Sequence, residues 1–74
     1  MNLACHLIEK SAVKLRESLK ENGPKNPKTK AAQEELDRVV ALAWPPVVNG
    51  MPDDLQALVG ESIQRYYKKA EIQN

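Results

Sequence analysis

Apolar side chains recur along this chain at intervals of three and four, in three separate stretches. In the first, Ala4, Ile8, Ala12, Leu15 and Leu19 form a stripe that Leu3, Leu7 and Ser11 widen. Such spacing lines one face of an α-helix. Glu9, Lys10, Lys14, Arg16, Glu17, Lys20 and Glu21 fall largely off that face. The pattern predicts a helix over about residues 2–22. Gly23 stops it by taking a left-handed cap conformation, and Pro24 prevents its continuation.

Gly23 to Lys28 reads as a loop, with two prolines, a glycine and an asparagine. The second helix follows, over about residues 27–43, with Ala32, Leu36, Val39, Val40 and Ala43 on one face. Its N-cap is either Asn26, with Pro27 at the first helical position, or Thr29. Glu34 and Arg38 sit four apart, in the orientation that favours an ion pair. Pro45 pushes Trp44 out of helical geometry and ends the helix.

Trp44 to Met51 reads Trp-Pro-Pro-Val-Val-Asn-Gly-Met, with the double proline favouring an extended path and Asn49-Gly50 a turn. The third stretch begins near Pro52, and Leu55, Leu58, Val59, Ser62, Ile63, Tyr66 and Ala70 repeat at three and four. It predicts a helix over about residues 52–70 with fraying beyond, opened by Asp53 and Asp54 at the positive end of its dipole. No strand alternation or internal repeat is present. The fold expected is all-α: a single domain over residues 1–74, built as a small three-helix bundle with short connections.

Length sharpens this picture. A chain of 74 residues buries only roughly 60% of the surface its unfolded form exposes, so its stability margin is a few kcal/mol. Such chains often gain stability from a partner or a second copy. The core must be aliphatic, because there is no Phe and only Trp44, Tyr66 and Tyr67 are aromatic. Eleven Lys/Arg against ten Asp/Glu give a net charge of +1, which argues against a dedicated nucleic-acid binder. Cys5 is the only cysteine, so no disulfide framework or cysteine-rich zinc site is expected, and the usage fits a reducing cytoplasm. No apolar run approaches the roughly 20 residues of a membrane span, and the start of the chain does not read as a signal peptide.

Candidate chemistry is sparse. Cys5 and His6 are adjacent, so on a helix they point away from each other and do not form a nucleophile–base pair. One histidine does not make a metal site. Glu34, Glu35 and Asp37, and likewise Asp53 and Asp54, are explained by solvation and helix capping rather than by catalysis. No cofactor, metal or catalytic set is expected.

Two features point toward binding. The connection from Trp44 to Met51 is unusually apolar for a loop. It either lids one end of the core or presents a contact patch. Gly60 interrupts the most regular helix at a cost of about 1 kcal/mol relative to alanine. It permits close approach of a helix, from this chain or from another. The function expected is a non-enzymatic protein–protein interaction module that contacts its partner through Trp44, Val47, Val48, Met51 and Gly60, with homo-oligomerisation as one form of docking. The alternative is nucleic-acid contact through Lys25, Lys28 and Lys30 in the first loop and Arg65, Lys68 and Lys69 near Tyr66 and Tyr67.

Overall fold

The computed structural model describes the backbone of residues 3–73 and the side chains of residues 6–70. Three helices appear: α1 (Leu3–Asn22), α2 (Pro27–Leu42) and α3 (Asp53–Gln73). There is no strand among the described residues. The protein is an all-α three-helix bundle with principal extents of 34 × 33 × 18 Å. Eighteen ångströms is about two helix layers.

Local chemistry sets the helix ends. Gly23 has φ +81°, and its N–H donates to the Leu19 carbonyl at 3.1 Å, closing α1 with a left-handed cap. Asn26, rather than Thr29, caps α2: its side-chain oxygen accepts from the Lys28 N–H at 2.9 Å. Pro27 has no N–H to satisfy at that position. Thr29 is buried instead and locks the α1–α2 corner. Asn22 Nδ2 donates to Ser18 Oγ at 3.3 Å, Ser18 Oγ lies 2.8 Å from Thr29 Oγ1, and Thr29 Oγ1 donates to the Gly23 carbonyl at 2.7 Å. α3 continues to Gln73, past the expected fraying point.

The stripes meet as their spacing predicts. Ile8, Ala12 and Leu15 from α1, Leu36 and Val40 from α2, and Leu55 and Val59 from α3 form the buried core. Leu19, Ala32, Val39, Ala43, Leu58 and Ile63 pack partly buried against it. Two positions depart from expectation: Leu7 is 55% exposed and Ala70 is also exposed. A helix with two neighbours buries one stripe, and Leu7 falls beside it. The readings of Ala4 and Cys5 lie outside the described side chains.

The direction of α3 was not anticipated. α1 and α2 form an antiparallel hairpin, with Ser18 meeting Thr29. α3 begins over α1, where Asp54 accepts from Arg16 Nη1 at 2.9 Å. It then crosses onto α2, with Ser62 and Arg65 against Asp37 and Tyr66 against Trp44. Residue numbers rise together along α2 and α3, so the two helices run in the same general sense. Residues 43–52 therefore return along the molecule instead of making a short turn. Their path is not the fully extended one that the double proline suggests: the Trp44–Pro45 peptide bond is cis and residues 48–51 form a turn.

This return path explains the apolar composition of the connection. Trp44 and Val48 pack against the core, and Met51 is only 5% exposed. A turn over Asn49 and Gly50 delivers Met51 inward: Gly50 has φ +91°, and the Met51 N–H donates to the Val48 carbonyl at 3.1 Å. The segment is a strap laid over the aliphatic core.

Candidate docking surface

The strap decides which of the expected contact residues face outward. Met51 is a core residue and is not available to a partner, because the turn at Gly50 drives its side chain inward. Val48 is half-buried against the core. Trp44 is half-buried and stacked on Tyr66, with ring centroids 4.1 Å apart and planes 19° from parallel. Tyr67 meets the Trp44 ring edge-on at 5.4 Å. Val47 remains 45% exposed. A Cβ built at Gly60 meets nothing within 4 Å, so among the described residues no helix approaches it closely and their packing does not account for that glycine.

Three of the large apolar side chains that stand out in solvent lie on the segments that carry or flank the Trp44 stack. Leu42, at the last position of α2, is 82% exposed, Val47 is 45% exposed and Tyr67 is 56% exposed. Leu7 belongs to the same end of the molecule, because α1 starts where the antiparallel α2 finishes. Leu42 is not among the sequence candidates, and Tyr67 enters there only beside the basic cluster of Arg65, Lys68 and Lys69. The signal was present for Leu42, which lies off the stripe of Ala32, Leu36, Val39, Val40 and Ala43.

A groove of about 580 Å3 opens between α2 and α3 and reaches this end at Tyr66. Ser62 is its most buried wall, and its hydroxyl donates to Asp37 Oδ1 at 2.6 Å. Arg65 joins them, donating from Nε to Asp37 Oδ2 at 3.0 Å and from Nη2 to Asp37 Oδ1 at 2.8 Å. The rim carries exposed side chains: Glu34 and Arg38 on α2, Lys68 and Lys69 on α3. Ion pairs among the described residues include Arg65–Asp37, Arg16–Asp54 and a looser Arg16–Glu17 contact at 3.8 Å. The anticipated Glu34–Arg38 pair is not among them. A second depression of about 440 Å3 lies along α1 beside Leu7, Lys10 and Val13.

The basic residues do not merge into one footprint. Lys25, Lys28 and Lys30 are exposed at the α1–α2 corner, while Lys68 and Lys69 stand near the Trp44 end, at the far end of α2. Arg65 is not a free cation, since Asp37 holds it from two sides. Among the described residues no three His, Cys, Asp or Glu side chains group in a way that could hold a metal ion, and no helix is long and apolar enough to cross a membrane. No family model, curated protein or solved structure matches the chain.

Proposed function

We propose that this chain is a non-enzymatic docking module, a regulator, inhibitor or accessory subunit that acts by binding another protein through the end where α2, the strap and α3 meet. One observation carries the reading: Leu42, Val47 and Tyr67 stand exposed on the three segments that carry or flank the Trp44 stack, although a chain this short gains stability by hiding such groups. Clustered exposed apolar side chains beside aromatic anchors are the usual composition of a contact surface. The Trp44–Tyr66 stack and the prolines keep that surface preformed, which lowers the ordering entropy lost on binding. A second copy of the chain is one partner this surface would accept. The cytoplasm suits a chain with a single cysteine.

The nucleic-acid reading has less support, because its two lysine clusters sit at opposite ends of α2 and its arginine is neutralised. The docking reading is tested with the full chain and its Leu42→Asp/Val47→Asp variant as baits in an extract of the source cells, with sedimentation velocity run on both. The expectation is a protein, or a second copy, retained by the wild type and lost from the variant, with both melting alike. Identical retention and identical sedimentation would sink the reading.

A further inference from the structure

Resting on that docking reading, we infer that the partner presents an acidic, amphipathic segment that lies in the groove between α2 and α3. The groove supplies the two things such a segment needs. Its charge is one-sided: Asp37 and Arg65 neutralise each other inside it, which leaves Arg38, Lys68 and Lys69 on the rim against the single carboxylate of Glu34. Among the described residues none of these three cations is engaged in an ion pair. Its apolar part is continuous with the docking surface, running from Ala41 and Tyr66 in the groove to Trp44 and Tyr67 beyond it.

Shape fits the same occupant. An open groove between two packed helices is filled by a partner helix or extended segment with its apolar side down. Glu34 stands on the α2 wall, so the carboxylates of the segment face α3, where Lys68 and Lys69 are. Charge complementarity of this kind sets partner choice and association rate more than raw affinity. A phosphate backbone suits the site less well. It needs a continuous basic track, and here the track ends at an apolar cluster, with one face of Tyr66 already covered by Trp44.

The test is a selection of random displayed peptides, long enough for several helical turns, on the immobilised full chain. Selected sequences are then synthesised and titrated against variants. The expected result is enrichment of Asp and Glu interleaved with large apolar residues. Binding should weaken at least about tenfold on Lys68→Glu/Lys69→Glu and stay unchanged on Lys25→Glu/Lys28→Glu at the opposite corner, with all variants melting as the wild type does. Peptides with no acidic excess, or peptides lost only on Leu42→Asp/Tyr67→Asp, overturn the groove inference and leave the docking reading standing. A selection that enriches nothing, while fluorescein-labelled single-stranded DNA binds at low salt and is released by Lys68→Glu/Lys69→Glu, overturns both in favour of phosphate.

Discussion

Arg65 on α3 grips both carboxylate oxygens of Asp37 on α2, through Nε at 3.0 Å and Nη2 at 2.8 Å, and the buried Ser62 hydroxyl donates to the same carboxylate at 2.6 Å. A pair about one-third exposed contributes little by charge alone. Here the carboxylate also serves a hydroxyl that has no access to water. Asp37→Ala is therefore expected to cost about 1–3 kcal/mol, whereas Glu34→Ala, one turn away on the exposed rim, should stay within about 0.5 kcal/mol of wild type. Urea denaturation of the two variants makes the comparison, and equal costs would show that Asp37 has no special role in joining α2 to α3.

Gly60 lies inside α3 with open space where a Cβ would stand. Alanine there should stabilise the isolated chain by about 1 kcal/mol, through helix propensity alone, and raise its melting temperature by several degrees. A partner helix that uses the gap would be weakened by the same substitution. Gly60→Ala that melts lower than wild type would show that something in the assembled protein already occupies that space.

Trp44 both lids the core and stacks on Tyr66. Trp44→Ala removes that packing and the aromatic pair, and about 2–4 kcal/mol of stability should go with them. Leu42→Ala, two residues earlier and almost wholly in solvent, should stay within about 0.5 kcal/mol of wild type. If the two variants denature alike, Trp44 is a surface group and the strap is not a lid.

Arg16 holds the Asp54 carboxyl below its ordinary pKa of 3.8, mainly through the hydrogen bond from its guanidinium. A carboxylate whose folded pKa is depressed adds stability above its unfolded pKa and loses it as pH falls through the folded one. Wild type should therefore exceed Asp54→Asn in stability at neutral pH, with the gap closing below pH 3.8. Denaturation curves at neutral and acidic pH measure this, and a gap that does not change with pH would mean that the Arg16–Asp54 contact contributes nothing in solution.

The helices were legible in the sequence because both the stripes and the stops have local causes. Gly23, Asn26-Pro27 and Pro45 end or begin helices through their own backbone chemistry. The course of α3 was not legible. A stripe says which side of a helix is buried but not which way the helix runs, so the segment from Trp44 to Met51 reads either as a lid on one end of the core or as a contact patch. That ambiguity placed Met51 among the expected contacts, whereas an apolar residue in a strap is pulled inward. Arg65 looked free because its acceptor, Asp37, is 28 positions away. Leu42 could have been found as the apolar residue off its own helix's stripe, since a position that neither the core nor the helix requires is a candidate for contact.

The docking claim is tested most directly by amide chemical-shift mapping of the labelled chain, titrated with a partner or selected peptide. Shifts concentrated at Leu42, Val47, Tyr67, Lys68 and Lys69 are the predicted result. Shifts confined to the α1 depression beside Leu7 and Val13, or to the Lys25–Lys30 corner, would contradict it.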